Sequence, residues 1–247
     1  MISIKSNREI ELMREAGKYL QDTFKEVEPF IKAGVTTKKL DKIIHDYVLS
    51  IGCIPECLGY EGFPATACIS VNDEVVHGIP GPRKIKDGDI VSIDLVISYK
   101  GYCADATRTY IIGEVPKEVQ ELVENTKEAF YVGVSVVKEG ARVRDIGSAI
   151  SKFAHSKGLS VVEELCGHGI GSSMHEEPDI PNFDDGNMTR LKEGMVIAIE
   201  PMLNLGSRNI YLCDDDWTVK TYDGKPSCHY ENTILVTKDG YEILTGD

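Results

Sequence analysis

The 247-residue sequence predicts an α+β fold in which helices back a curved antiparallel sheet, built as two pseudo-symmetric halves. Three observations carry this. Ile85-Lys86-Asp87-Gly88-Asp89-Ile90-Val91-Ser92-Ile93-Asp94 aligns with Leu191-Lys192-Glu193-Gly194-Met195-Val196-Ile197-Ala198-Ile199-Glu200, 106 residues later. Upstream, Ile31-Lys32-Ala33-Gly34-Val35 aligns with Val137-Lys138-Glu139-Gly140-Ala141, and Leu40, Ile44, Tyr47 and Gly52 align with Ile146, Ile150, Phe153 and Gly158, at the same offset. Each copy also runs in one order, two helical patterns and then strands, the mark of a repeated structural unit. No Pro/Gly/Ser-rich linker divides the copies, so residues 1–247 read as a single domain with an internal repeat.

Ser6-Asn7-Arg8-Glu9 has the spacing of a capping box, in which Ser6 accepts from the first turn and Glu9 reaches back. A helix follows through Ile10, Met13, Ala16, Gly17 and Leu20, whose spacing keeps one face apolar. A second helix is expected over about 37–49, stopping near Gly52, and the second half repeats the pair at about 117–136 and 142–156. Strands are expected at 67–71, 90–99, 102–112, 161–165, 195–204, 209–212 and 231–237. Tyr99-Lys100-Gly101-Tyr102 reads as the hairpin turn between the strands that carry Asp94 and Asp105.

Hydrophobic content of 42% supports a sizeable core, and no apolar run approaches the length needed to span a membrane. The segment Met1-Ile2-Ser3-Ile4-Lys5-Ser6 lacks the apolar stretch of a signal peptide. Seven cysteines, an odd number with no Cys-x-x-Cys pair, indicate reduced thiols and a cytoplasmic location. A net charge of −13 argues against nucleic acid as the main partner.

The repeat places Asp94 and Glu200 at matching points, each ending an apolar strand, so the two carboxylates meet near the pseudo-twofold axis. Carboxylates brought together in an apolar setting repel unless one is protonated or a cation lies between them, and a metal site is the natural reading. Asp105, among small residues on the hairpin, and Glu231, opening the last strand, extend the set. His168, in Cys166-Gly167-His168-Gly169-Ile170-Gly171, is flanked by glycines that let the backbone approach closely. One imidazole with four carboxylates is too many donors for one tetrahedral zinc and suits two divalent ions. His77, in Val76-His77-Gly78-Ile79-Pro80, and His175, in Met174-His175-Glu176-Glu177-Pro178, lie in turn-rich stretches where a lone histidine is more often a surface residue. His45 and His155 fall within amphipathic helices and read as structural, and His229, two residues before Glu231, points to the same face and is expected to touch the ligands from behind.

These residues, in this order, resemble the methionine aminopeptidases of type I. The matching motifs are Asn72 with His77-Gly78-Ile79-Pro80, Asp94, Asp105, Cys166-Gly167-His168-Gly169-Ile170-Gly171, His175-Glu176-Glu177-Pro178, Ile199-Glu200-Pro201-Met202 and Trp217-Thr218-Val219-Lys220-Thr221. The match runs from about residue 5 to 245, and the short His175–Glu200 spacing leaves no room for the helical insertion of type II. No zinc-finger extension precedes it, as in the short bacterial form. The resemblance implies the pita-bread fold and cytoplasmic removal of initiator methionine from nascent polypeptides when the second residue is small and uncharged. It implies two divalent cations (Co²⁺, Mn²⁺, Fe²⁺ or Zn²⁺) on Asp94, Asp105, His168, Glu200 and Glu231, with Asp105 and Glu231 bridging. It assigns His77, His175 and Glu200 to catalysis, and Cys57, Tyr60, Phe63, Cys68, Met174 and Trp217, with the two histidines, to substrate binding. A monomer is expected, with the ribosome as a candidate partner and no membrane attachment.

The chain departs from the usual pattern in three places. Met174 stands where an aromatic is common, Phe63 where tyrosine is common, and Ser227-Cys228-His229-Tyr230-Glu231-Asn232 replaces a more usual Ala-Gln-Tyr-Glu-His. None removes a ligand. Two other readings are a proline-directed peptidase on the same fold and a binding module that has lost its metals; the complete ligand set weighs against the second.

Overall fold

The structure is a computed structural model that describes residues 2–246. Helix α1, Asn7–Val27, starts at the Ser6 capping box as its sequence predicts, with Ser6 Oγ accepting from Glu9 N–H and the Glu9 carboxylate accepting from Ser6 N–H. It runs past Leu20 because Thr23, Phe24 and Val27 continue its buried face. Helix α2, Thr37–Ser50, is followed by β1, Ile54–Pro55, β2, Cys68–Val71, β3, Glu74–Val76, and the long hairpin β4, Ile90–Tyr99, and β5, Tyr102–Ile111. The second half opens with α3, Lys117–Val134, and α4, Val143–Ser156, then β6, Ser160–Val161, β7, Cys166–Gly169, β8, Glu176–Pro181, and β9, Val196–Ile199. Strands β10, Met202–Asn204, β11, Ile210–Leu212, β12, Val219–Thr221, β13, Ser227–His229, β14, Glu231–Val236, and β15, Tyr241–Ile243, complete it.

The main sheet is antiparallel and curved, in the order β1-β4-β5-β14-β9-β7-β8, with β2 added to β4 and β15 to β14. The halves join where β5 pairs with β14, Thr107 opposite Glu231. Helices α1 and α2 bury Leu20, Leu40 and Ile44 against Ile93, Leu95 and Ile97 of β4. Helices α3 and α4 bury Leu122, Phe130 and Ile150 against Ile197, Ile199 and Ile234 of β9 and β14. Repeat symmetry extends to single contacts: the bridge Thr36↔Lys84 recurs as Arg142↔Arg190. The bond from Gly34 N to Ile85 O (2.8 Å) likewise recurs from Gly140 N to Leu191 O (2.9 Å).

Two strand expectations change, and strands β1, β3, β7, β8, β12, β13 and β15 fall outside those expected. The strand expected over 195–204 splits into β9 and β10 around Glu200-Pro201, because proline has no N–H for the ladder. The strand expected over 161–165 shrinks to the two residues of β6. Strands β7 and β8, rich in glycine and proline, carry no alternating pattern and are formed by tertiary pairing. All seven cysteines are free thiols, and among the described residues no helix is long and apolar enough to cross a membrane.

Candidate active site

Strand pairing lines up the acids. Asp94 on β4 stands opposite Thr107 on β5, and Thr107 stands opposite Glu231 on β14, so the three share one face of the sheet. Asp105, two residues before Thr107, falls on that face by the period of two along a strand. Glu200 arrives from the end of β9, the neighbour of β14. Asp105, His168 and Glu231 each present a donor atom, all within 4.8 Å of one another. His168 Nε2 is 3.6 Å from both Asp105 Oδ2 and Glu200 Oε1.

Burial makes this cluster electrostatically expensive. It pushes the Asp94 carboxyl up to about 7. Burial, then Glu231 and Asp94, hold Asp105 and Glu200 well above the usual carboxylate range, and burial with Asp94 does the same to Glu231. Asp94 Oδ1, Asp105 Oδ1 and Glu231 Oε1 are buried without any hydrogen-bond partner. Buried polar atoms are rarely left so, and oxygens of like charge converging on one point are the donor set a divalent cation satisfies. His168 fits the same demand. Its Nδ1 lies 2.9 Å from Gly169 O, so the N–H sits there and the Nε2 lone pair faces the acids. Burial and His175 lower this imidazole to about 4, keeping it neutral. The flanking glycines are steric requirements: a Cβ at Gly167 would meet Ala198 O at 2.3 Å, and one at Gly169 would meet Glu177 O at 2.3 Å.

The two turn histidines reach the same place. His77 takes a left-handed backbone (φ 58°), unusual for a residue with a side chain and a common mark of functional positions. Burial and His175 lower it to about 4. His175 is exposed, its ring 4.4 Å from that of His168, and its Nδ1 is 3.0 Å from the Tyr60 hydroxyl. Beside the acids, an apolar cup gathers Cys57, Phe63, Cys68, Val96 and Met174, all buried. The Phe63 and Trp217 rings meet edge-on at 5.1 Å, and Trp217 also meets His77 at 6.2 Å.

All thirteen residues singled out from the sequence therefore line one cavity of about 250 Å³, together with Glu61 and Val96, which sequence reasoning missed. Thr107 was missed too; its hydroxyl donates to Glu231 Oε2 at 3.0 Å, and its position two residues after Asp105 was the available signal. His229 lies 3.6 Å from Glu200 Oε2, while His45 pairs with Thr66 and His155 is exposed, as their helical positions predict. A wider hollow of about 400 Å³ between α1 and α3, walled by Phe24 and Tyr230, contains none of the thirteen.

Helices backing a curved antiparallel sheet, with carboxylates and imidazole converging beside an apolar cup, make a donor set suited to a divalent cation at the edge of a ligand-sized cavity. Residues 11–238 match Metallopeptidase family M24. A methionine aminopeptidase 1 from Bacillus subtilis (strain 168) is 45% identical over 246 residues, 99% of each chain. The crystal structure of methionine aminopeptidase from Rickettsia prowazekii superimposes with a TM-score of 0.98 at 40% identity, covering all of both chains. An Xaa-Pro dipeptidase from Bacillus anthracis gives 0.80 at 25% identity, with 62% of that chain covered. The chain belongs to metallopeptidase family M24 and, within it, to the methionine aminopeptidases. Its fold is the pita-bread fold of these enzymes, and the family's chemistry requires a divalent metal.

Proposed function

We propose that the chain, acting as one catalytic domain in the cytoplasm, removes initiator methionine from nascent polypeptides whose second residue is small and uncharged. Two divalent cations would be held by Asp94, Asp105, His168, Glu200 and Glu231. One observation carries this reading: the partnerless oxygens of Asp94, Asp105 and Glu231 converge on the rim of an apolar cavity of about 250 Å³. When bound, divalent cations supply Lewis acidity and make water a nucleophile at neutral pH.

The chain's own residues do the rest. The thioether enters the cup, where polarisable sulfur and aromatic edges suit it. The free α-amino group of the substrate lies toward Asp94. The Tyr60 hydroxyl lies 3.0 Å from His175 Nδ1; with the hydroxyl as donor the ring proton sits on Nε2, free to meet the carbonyl oxygen as charge develops. Glu200 takes part in moving the proton given up by the attacking water, and His77 holds the scissile amide nitrogen. The protein acts as a monomer, with the ribosome as its site of encounter with substrate.

The test is release of the N-terminal residue by metal-stripped protein after anaerobic return of Mn²⁺, Fe²⁺, Co²⁺ or Zn²⁺. Met-Ala-Ser, Met-Leu-Ser, Leu-Ala-Ser and Ala-Pro-Ser peptides are offered side by side. Cleavage confined to Met-Ala-Ser is expected. Preference for Ala-Pro-Ser, or no cleavage with metal bound, overturns the reading.

A further inference from the structure

His229 is a histidine without an evident reason to be one. It is 2% exposed, and its Nε2 is buried with no hydrogen-bond partner. Leaving a buried polar atom without a partner costs about 1–3 kcal/mol, so Nε2 is expected to have one in the working protein. Two are near: Glu200 Oε2 at 3.6 Å and Glu231 Oε2 at 4.0 Å. Glu200 is the nearer, and Glu231 Oε2 already accepts from the Thr107 hydroxyl at 3.0 Å.

Glu200 is held between two imidazoles, one on each oxygen. Oε1 lies 3.6 Å from His168 Nε2 and Oε2 lies 3.6 Å from His229 Nε2. The two contacts differ in kind. His168 has its proton on Nδ1, turned to Gly169 O, so it offers Glu200 a lone pair, which is favourable with a proton or a cation between them. His229 stands on the other side: Glu200 lines the cavity and His229 does not. Its backbone is pinned, since β13 pairs with β10 with His229 opposite Met202, and the Thr109 hydroxyl donates to His229 O at 2.7 Å.

We propose that His229 is a positioning residue for Glu200, donating its Nε2–H to Oε2 and so turning Oε1 toward His168 and the cluster. The present 3.6 Å is too long for a hydrogen bond, and a movement of roughly 0.5 Å closes it. With Oε2 turned to His229, Oε1 is the oxygen that would face a cation held by the cluster. The inference rests on the metal-site reading given under Proposed function.

The experiment is calorimetric titration of metal-stripped wild-type, H229F and H229Q proteins with Zn²⁺, with ¹⁵N NMR of histidine-labelled wild-type protein before and after loading. H229F keeps the volume and removes the donor; H229Q returns an amide donor. Zn²⁺ affinity is expected to fall about 10–100-fold in H229F, the usual cost of losing a partner behind a ligand, and to recover to within a few-fold in H229Q. The wild-type spectrum is expected to keep the His229 Nε2–H proton in the loaded state, a result that stands even if H229F does not fold. Equal affinity in wild type and H229F, with both folded, overturns the role of His229 alone. Loss of the Nε2 proton on loading also overturns it, since the nitrogen would then be a ligand. If wild-type protein takes up no Zn²⁺, Mn²⁺, Fe²⁺ or Co²⁺, the metal-site reading falls and takes this inference with it.

Discussion

The ammonium of Lys5 lies 2.8 Å from Oε2 of Glu176, and the pair is almost closed to water, with 3% and 17% of their side chains exposed. Glu176 follows His175 directly, and its Oε1 accepts from the N–H of Ser173 at 3.4 Å. Lys5 N–H in turn donates to Gly194 O at 2.8 Å. The residues before α1 thus strap down the loop that presents Met174 and His175 to the cavity.

Breaking that pair from one side leaves a buried charge uncompensated. Lys5→Met is expected to cost about 3 kcal/mol in urea unfolding, whereas Lys5→Met with Glu176→Leu costs less than the single change. Additive losses in the double-mutant cycle would show that the pair is not a unit.

Asp105→Asn has opposite effects in the two metal states. In the stripped protein it removes one of the buried acids that repel one another, so its Tm is expected to rise. In loaded protein it removes a donor, and activity is expected to drop by about 10²-fold or more, several kcal/mol of transition-state stabilisation. Full activity with two metals retained refutes the assignment.

His175→Ala is expected to lower kcat by roughly 10²–10⁴-fold through lost stabilisation of the developing oxyanion. Metal content should stay unchanged. Steady-state kinetics beside metal analysis decides it; unaltered turnover with intact metal removes His175 from the mechanism.

Trp217→Ala takes away the ring that meets both Phe63 and His77. Loss of a pocket wall of this kind costs about 1–3 kcal/mol, so KM for Met-Ala-Ser is expected to rise roughly 10–100-fold. A KM within twofold of wild type would place the methionine elsewhere.

The metal-free protein is expected to lose stability between pH 7 and 8. Burial raises Asp94 to about 7 and holds Asp105, Glu200 and Glu231 well above the carboxylate range. In the unfolded chain all four are ionised above about pH 5. Folding therefore takes up protons, and the stability contributed by the neutral acids is present at low pH and lost as pH rises through 7. His77, His168 and His229, lowered in the fold, are largely uncharged in both states above about pH 7 and contribute little there. Melting scans of stripped protein should give a lower Tm at pH 8 than at pH 7, and saturating Mn²⁺ should flatten the difference. A stripped-protein Tm that rises over this window contradicts the buried-acid account.

Sequence alone determined the helices, the hairpin that carries Asp94 and Asp105, and the 106-residue repeat that matches Asp94 with Glu200. These are local or periodic properties: a capping box at Ser6, an apolar face every three to four residues, a glycine in a two-residue turn. The acids could also be singled out, because a carboxylate interrupting an apolar strand is conspicuous in one dimension. Tertiary structure alone decided the rest. Strands β7 and β8 exist because they pair across the sheet, and nothing in their composition marks them. The row Asp94–Thr107–Glu231 depends on β5 meeting β14, a register formed between residues 124 positions apart. His229 shows the limit most plainly: its sequence position suggested a contact behind the ligands on the Glu231 side, and not which acid it approaches most closely. Its distance to Glu200, and the lack of a hydrogen bond at its Nε2, come from strands β10 and β13 pairing behind the cavity. Periodicity states which way a side chain points, and only packing states what it meets.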